Sequence, residues 1–242
     1  MGLHTTDIIV LRKYPFRETS VVVSCLSDRF GKLKGLVKGL RQQPNRYHSA
    51  MEPLTVNRIV FYDTLTSSLH LVSQCDLLDP LDSLQRDLET MRTAAHCVDL
   101  ADTVLALEEP QPLIYQLLRD TLGRLSLDPS GRVLLRVHFV TRLLRLIGFQ
   151  PQLDTCVGCE TSVEVEEGFW SVSEGGLLCV RCHSQDPRAE SVNPETLKAL
   201  KLLAQSDAPI AMDDSLVQLL SRRLDAFLQW RLDRPLKTLS IR

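Results

Sequence analysis

The 242-residue chain lacks the motifs on which several common enzyme classes depend. It contains no GxxxxGK[ST] phosphate-binding loop, no HExxH metalloprotease motif and no nucleophile elbow, which predicts a protein that is not an enzyme and binds no nucleotide. It also lacks an apolar run of about 18 residues, the length that a membrane-spanning helix needs. Because no basic segment followed by an apolar one begins the chain, we expect a cytoplasmic protein.

The chain has little net charge, and its positive charge is concentrated at one end. The formal net charge is −2, which by itself argues against a nucleic-acid partner. Residues 1–50, however, contain nine Lys or Arg and three Asp or Glu, a balance of +6, whereas the remainder contains 19 basic and 27 acidic residues, a balance of −8. A basic first module on an acidic body favours a polyanionic ligand at one face.

Four of the seven cysteines form two CxxC pairs separated by 19 residues. The pairs are Cys156-Val-Gly-Cys159 and Cys179-Val-Arg-Cys182. This spacing allows four thiolates to surround one zinc ion, and a site with no open coordination position is structural rather than catalytic. The alternatives are ordinary buried or disulfide-bonded thiols, a redox pair, and c-type haem attachment at Cys179–His183, although one redox pair would leave the second CxxC unexplained.

The segment between the two CxxC pairs is too short to build a core of its own. Phe169, Trp170 and Val172 supply apolar strand residues, and Gly175-Gly176 supplies a reversal, so we predict a small hairpin. We expect Gly158 to provide the backbone freedom that the first tight turn needs. Such a module would depend on the metal ion for its stability.

Five short β-branched runs lie near the start of the chain, and turn residues separate them. They are residues 7–13, 19–27, 32–38, 54–62 and 67–75. Five short strands suit a small antiparallel barrel, since closing the sheet removes exposed edges. We therefore predict an OB-type barrel in residues 1–79.

The third run predicts a row of cations on the outside of this barrel. Lys32, Lys34 and Lys38 share one face of a strand because side chains alternate with period two, and the other face is apolar. Their spacing of about 6.6 Å is close to the step between phosphates of a single nucleic-acid strand. Four aromatic residues interleave with the cations and could stack on bases. They are Tyr14, Phe16, Phe30 and Tyr47.

From residue 80 onward the pattern becomes helical. Helices are predicted over residues 80–107, 112–125 and 129–147, then from Asn193 to about Gln205 and from Asp213 or Asp214 to Trp230. Asp128 should cap the third helix and Gly148 should end it. The predicted fold is thus a multidomain α+β protein with an OB barrel (1–79), a helical bundle (80–150 and 190–242) and an inserted four-cysteine zinc module (151–189).

The third predicted helix carries four arginines. They are Arg132, Arg136, Arg142 and Arg145. A cationic rim beside an apolar groove would suit an acidic, hydrophobic peptide, but solvated helix flanks explain the pattern better, because the four do not share one face.

Ordered strings along nearly the whole chain resemble the family of the bacterial DNA repair protein RecO. They include Ile8–Leu11, Arg17–Thr19, Phe30–Leu33, Val37–Arg41, Arg142–Phe149, Gly175–Cys179 and Arg234–Leu239. The resemblance implies an OB domain, a helical domain and a zinc-binding insert. The segment Gln42–Asn45 departs from the family, which often carries more basic and small residues there.

The resemblance also implies binding of single- and double-stranded DNA, annealing of complementary strands, and assistance in loading RecA on DNA covered by single-stranded-DNA-binding protein. RecR would be a partner, RecA an indirect one, and the protein would act at the nucleoid. We predict seven phosphate contacts: Arg12, Lys13, Arg17, Lys32, Lys34, Lys38 and Arg41. Alternatives from other classes are a zinc-ribbon regulator or adaptor that binds a protein through the helical domain, and a thiol oxidoreductase.

Overall fold

Five strands close into a barrel near the N-terminus, as the β-branched runs predicted. In the computed structural model they are β1 (Leu3–Phe16), β2 (Ser20–Ser27), β3 (Gly31–Val37), β4 (Val56–Tyr62) and β5 (Leu69–Asp79). The strand order is β1-β2-β3-β5-β4, and every pairing is antiparallel except that of β3 with β5. Buried aliphatic residues and Phe61 fill the interior. The structure describes residues 2–42, 47, 51–64, 67–163 and 168–232.

Two helices follow the barrel: α1 (Leu88–Val104) and α2 (Pro112–Leu127). The prediction of one helix over 80–107 is wrong at its start, because a separate 3-10 helix, Asp82–Arg86, comes first. The side chain of Asp87 then accepts a hydrogen bond from the Thr90 amide and caps α1. Asp128 caps the next 3-10 turn, Pro129–Gly131, which leads into α3 (Arg132–Leu146).

The cysteine region forms a small sheet with more strands than the predicted hairpin. Its strands are β6 (Gln152–Cys156), β7 (Gly168–Ser171), β8 (Gly176–Leu178) and β9 (Glu190–Val192) in the order β6-β8-β7-β9. The β7–β8 hairpin is confirmed, with Val172 in its turn and Gly175 at φ +86°. Helices α4 (Pro194–Gln205) and α5 (Asp214–Arg231) follow, and Asn193 and Asp213 cap them as predicted.

The described residues fall into two compact units, one up to Arg132 and one from Val133 onward. The barrel, α1 and α2 belong to the first unit, and the cysteine sheet, α4 and α5 belong to the second. The three-domain division at residues 79 and 150 stays a prediction. No described helix combines the length and the apolar character that crossing a membrane requires. The resembling string Arg234–Leu239 lies outside the described residues, as does most of Gln42–Asn45.

Candidate metal centre and nucleic-acid interface

The four cysteines of the two CxxC pairs converge on one point. All four Sγ atoms lie within 4.8 Å of one another, and the Sγ atoms of Cys159 and Cys179 are 3.8 Å apart. A tetrahedral ion with metal–sulfur bonds of about 2.3 Å requires sulfur–sulfur edges of about 3.8 Å. Because the cluster already has this size, these four residues can hold a metal ion, and they form no disulfide.

Backbone hydrogen bonds place the two CxxC turns, called the first and second knuckle below, side by side. The Cys179 amide donates to Cys156 Sγ at 3.3 Å, and the Val157 amide donates to the carbonyl of Leu177 in β8 at 2.8 Å. Each knuckle closes a tight turn, with the Glu160 amide bonded to Cys156 O at 2.8 Å and the Cys182 amide bonded to Cys179 O at 3.0 Å. Neighbouring strands therefore supply the ligand pairs in a fixed arrangement.

Gly158 serves this site for a reason other than the predicted one. Its φ is not positive, so a larger residue could adopt the same backbone conformation. A Cβ atom at this position, however, would lie 3.2 Å from both Cβ and Sγ of Cys182. The glycine thus provides the space that lets the second knuckle approach the first.

The thiols titrate unequally, and this inequality shows why the cluster suits a cation. A hydrogen bond from the Thr161 hydroxyl, at 3.0 Å, lowers the pKa of Cys159 to about 6. The bond with Cys159 then raises the pKa of Cys182 to about 12, with burial adding to the effect. Cys182 therefore tends to keep its proton, and a bound metal cation would favour its ionisation.

His183, which follows the second knuckle, is engaged elsewhere. Its ring stacks on Phe169 with centroids 3.9 Å apart, and its Nε2 lies 3.4 Å from the carbonyl oxygen of Ala189. The convergence of both CxxC pairs on one point is the arrangement expected of one metal ion, whereas the redox and haem alternatives would use a single pair.

In the barrel, two of the predicted phosphate contacts are occupied by carboxylates. Lys32 Nζ lies 3.2 Å from Asp102 Oδ1 and donates to the backbone carbonyl of Asp102. Arg12 Nε donates to Asp102 Oδ2 at 2.5 Å, while its Nη2 donates to Asp99. The expectation of an uninterrupted outward row of lysines is therefore wrong at Lys32, whose side chain is only 13% exposed.

The end of α1 and the segment after it cover this part of β3. The Glu108 amide donates to Lys32 O at 2.8 Å, and Ser24 donates to Asp102 at 2.8 Å. Burial disfavours the charge of Asp102, but Ser24, Lys32 and Arg12 outweigh that effect and hold its pKa below the usual range. The sequence signal for this contact was the pair Asp99 and Asp102, which lie three residues apart on one helix face.

Four other predicted contacts remain exposed: Arg17, Lys34, Lys38 and Arg41. In the described part of the chain none of the four forms an ion pair, whereas Lys13 Nζ lies 2.6 Å from a carboxylate oxygen of Glu52. The alternation of β3 is confirmed, since Leu33 and Val37 are buried while Lys34 points outward.

Three of these exposed cations gather at one end of the barrel. The turn after β3 is tied to the turn after β1, because the Arg41 amide donates to Thr19 O at 2.9 Å and Arg41 Nη1 lies 3.4 Å from Arg17 O. Lys38 precedes Arg41 in the same turn. Arg17 has a φ of 53° and its guanidinium lies over the Phe16 ring at 5.3 Å. The result is a compact cationic rim, defined as Arg17, Lys38 and Arg41.

Of the four aromatic residues predicted to stack on bases, two are part of the fold. Tyr47 is buried and donates to Lys38 O at 2.7 Å, which fixes the start of the rim. Phe30 packs edge-on against Phe61, with centroids 5.4 Å apart. Tyr14, which is 46% exposed, and the half-buried Phe16 remain accessible beside the cations.

Three of the four arginines of α3 bind within the second unit. Arg136 Nη1 donates to Asp225 at 2.6 Å, and Arg142 Nη2 donates to Asp207 at 2.8 Å. Arg145 donates to the carbonyl oxygen of Ala204, in the last turn of α4, at 2.9 Å. The prediction of solvated flanks is wrong for Arg136, Arg142 and Arg145, because they join α3 to α4, α5 and the segment after α4. Among the described residues, Arg132 bonds only to the nearby carbonyl of Pro129, as a solvated flank would.

Comparisons with known proteins identify the family. The model of the recombination protein O N-terminal region matches residues 1–81, and that of the C-terminal region matches residues 85–240. The chain is 28% identical over 247 residues to the DNA repair protein RecO of Symbiobacterium thermophilum, covering 98% of this chain and 96% of the relative. It is 33% identical over 205 residues to that of Desulforudis audaxviator, covering 84% and 80%. This chain belongs to the recombination protein O family.

Proposed function

We propose that this chain is a recombination mediator that binds single- and double-stranded DNA through its barrel. It anneals complementary strands and assists RecA loading on DNA covered by single-stranded-DNA-binding protein, with RecR as a partner, in the cytoplasm at the nucleoid. Family membership supports the broader role in DNA repair and recombination. The observation that carries DNA binding is the cationic rim on an OB-type barrel, together with the exposed ammonium of Lys34.

The location of these cations suits a nucleic-acid strand. OB barrels bind oligonucleotides on the face of their second and third strands and at the loop between the first and second. Lys34 and Lys38 lie on and just beyond β3, and Arg17 lies in the β1–β2 turn. The exposed ring of Tyr14 on β1 adds a surface on which a base can stack.

The other three predicted contacts have a subordinate part in this proposal. Arg12 and Lys32 are neutralised by Asp99 and Asp102, and Lys13 is paired with an exposed glutamate. A phosphate would have to compete with these carboxylates, so contacts at the rim and Lys34 should dominate the affinity.

Annealing follows from contacts that neutralise phosphates and leave bases accessible. Cationic side chains reduce repulsion between two strands without forming base-specific bonds, and they require no bond chemistry. A non-enzymatic mode of action is therefore sufficient for this proposal.

We propose zinc as the ion of the cysteine cluster, with a structural role. Four thiolates with tetrahedral spacing are the donor set that zinc favours, and they leave no position for a water or a substrate. Metal analysis of the purified chain should give about one zinc per molecule, and treatment with a thiol reagent should report four additional reactive thiols once a chelator is present.

The decisive experiment is a salt titration of single-stranded DNA binding. The double variant Lys34→Gln and Lys38→Gln should reduce the slope of log K against log[salt] by about 1.4, since each lost contact removes roughly 0.7. The matched control, Arg92→Gln with Arg124→Gln, removes two exposed charges from helices of the same unit and should leave the slope unchanged. An equal loss in both double variants would contradict the placement of the site, and a strand-annealing assay would separate this function from a protein adaptor.

A further inference from the structure

A cleft in the second unit lies between β7 and α5, and none of the four cysteines lines it. Its volume is about 370 Å³, and it is lined by both apolar and basic side chains. The residues that carry the argument are Trp170, Arg188, Glu190, Leu219, Arg222 and Arg223. Neither the family resemblance nor the proposed DNA contacts assign a role to this cleft.

Two side chains of the cleft have buried donors that are not satisfied by the described residues. The indole Nε1 of Trp170 and the Nε and Nη1 atoms of Arg223 have no hydrogen-bond partner there. Trp170 is 2% exposed and Arg223 is 9% exposed, so bulk water does not readily solvate these groups. Leaving buried donors unpaired costs free energy, and the cost is greater for a charged group. A ligand with several acceptor atoms would remove that cost.

The remaining polar contacts of Arg223 with described residues involve only its Nη2 atom. Its Nη2 donates to the backbone carbonyl of Ser191 at 2.9 Å and lies 3.6 Å from Glu190 Oε2, beyond hydrogen-bond distance. The Glu190 side chain is 70% exposed, so it meets the guanidinium from the mouth of the cleft. Burial lowers the pKa of Arg223, and the nearby charge of Glu190 only partly offsets that effect.

The charge of the lining favours an anion with more than one negative charge. Three arginines and one glutamate line the cleft, which gives 3 − 1 = +2. Arg188 is 82% exposed and Arg222 is also exposed, so both can turn towards a bound anion. Leu219 and the indole ring provide an apolar wall beside these charges.

We propose that this cleft binds a phosphate monoester dianion, with Trp170 and Arg223 as inner donors and Arg188 and Arg222 as outer charges. A monoester has three terminal oxygens for the three unpaired donors and carries about two negative charges. A carboxylate offers two oxygens and one charge. An internal DNA phosphodiester also has one charge, and its two substituents would keep it from the buried donors.

Inorganic phosphate is the first probe, titrated into the full chain by calorimetry at ionic strength matched with chloride. Arg223→Met should weaken phosphate binding by at least about tenfold, because hydrogen bonds to a charged group are lost. Trp170→Phe, which removes the N–H donor together with the pyrrole part of the indole ring, should weaken it by about fivefold. Glu190→Gln should instead strengthen binding, since it removes a like charge from the mouth.

Two controls separate loss of the site from loss of the fold. Arg223→Met loses the hydrogen bond to the Ser191 carbonyl but also removes two unpaired buried donors, so its melting temperature without phosphate should change little. Lys198→Gln removes an exposed charge from α4 of the same unit that does not line the cleft, and its affinity should equal that of the unchanged chain. Phosphate binding unaffected by Arg223→Met, or not enhanced by Glu190→Gln, would overturn the proposal.

A second pair of titrations identifies the source of the phosphate. If the ligand is the end of a DNA strand, an idea that rests on the proposed function, a 5′-phosphorylated oligonucleotide should bind more tightly than its 5′-hydroxyl counterpart, and Arg223→Met should abolish the difference. Equal affinities together with phosphate binding would indicate a small free phosphate compound. The Lys34 and Lys38 double variant should retain phosphate binding, so failure of one proposal can be told from failure of the other.

Discussion

The barrel and the cysteine sheet are both small β structures, yet they are stabilised in different ways. The barrel strands are 7 to 14 residues long and close on themselves around aliphatic residues and Phe61. The strands of the cysteine sheet are 3 to 5 residues long, and its ligand pairs meet at four sulfur atoms. Burial of apolar surface can hold the first, whereas the second requires a cross-link, which the proposed metal ion would supply.

The largest expected effect is that of removing this cross-link. A strong chelator, or Cys159→Ser, should unfold the cysteine module, since structural zinc contributes on the order of 10 kcal/mol at neutral pH. The only tryptophans, Trp170 and Trp230, lie in the second unit, so fluorescence reports that unit selectively.

Circular dichroism of the same samples reports the β-strand signal of the barrel. The barrel's strand signal should persist after chelation, and adding zinc back should restore the fluorescence of the unchanged chain but not that of Cys159→Ser. If chelation removed both the strand signal of the barrel and the tryptophan fluorescence of the second unit, the two β structures would depend on one another. The contrast between a barrel held by apolar burial and a sheet held by a metal ion would then be wrong.

A smaller effect should follow from Asp102→Asn in the first unit. This change leaves Arg12 and Lys32 without their shared carboxylate, and breaking such a half-buried network costs about 3 kcal/mol. Urea unfolding of the barrel should report the loss, while chelator sensitivity of the second unit should stay the same. Ser184→Ala, at an exposed position of the other unit, serves as a neutral control.

The difference in stability between the unchanged chain and Asp102→Asn should depend on pH in a defined direction. The pKa of Asp102 is lower in the folded chain than the value of about 3.9 in an unfolded one. Its stabilising contribution is therefore complete above about pH 4 and is lost as the pH falls through the folded value. Unfolding measured between pH 6 and pH 3 should show the difference narrowing on the acid side, and a constant difference would exclude Asp102 as the cause.

The smallest effects are expected from replacing one glycine by alanine in each of the two β structures. A Cβ at Gly35 would lie 2.8 Å from Val72 Cγ2 in the barrel, and one at Gly158 would lie 3.2 Å from Cys182 Sγ. Gly35→Ala should cost about 1 to 3 kcal/mol of barrel stability through overpacking. Gly158→Ala should leave the barrel unchanged and lower the apparent zinc affinity, measured by competition with a chromogenic chelator. If each substitution changed barrel stability and zinc affinity to the same extent, the barrel and the cysteine sheet would not be stabilised separately.

The sequence predicted the features that repeat locally. Short β-branched runs separated by turn residues identified all five barrel strands, and the cap residues Asp128, Asn193 and Asp213 marked helix starts. The CxxC spacing identified the cysteine cluster because two short turns determine where four sulfurs can meet. Each of these signals depends on residues within a few positions of one another.

Contacts between distant segments were not predictable in the same way. Alternation places Lys32 outside the barrel correctly, but it does not reveal that Asp102, seventy residues later, returns to pair with it. The same holds for Arg136 and Asp225, and for the two guanidinium nitrogens of Arg223, Nε and Nη1, that lack a partner among the described residues. Charge patterning along a chain gives the side of an element on which a group lies, and only the tertiary structure shows what covers that side.

The bond between Lys32 and the end of α1 affects how fragments of this protein will behave. A fragment ending after β5 would lack Asp99 and Asp102 and would expose Arg12 and Lys32, adding two cations to its surface. It would then attract DNA through groups that the intact chain keeps masked. Truncation at this boundary would overstate the affinity of the barrel, whereas a fragment ending after α2 would preserve its native electrostatics.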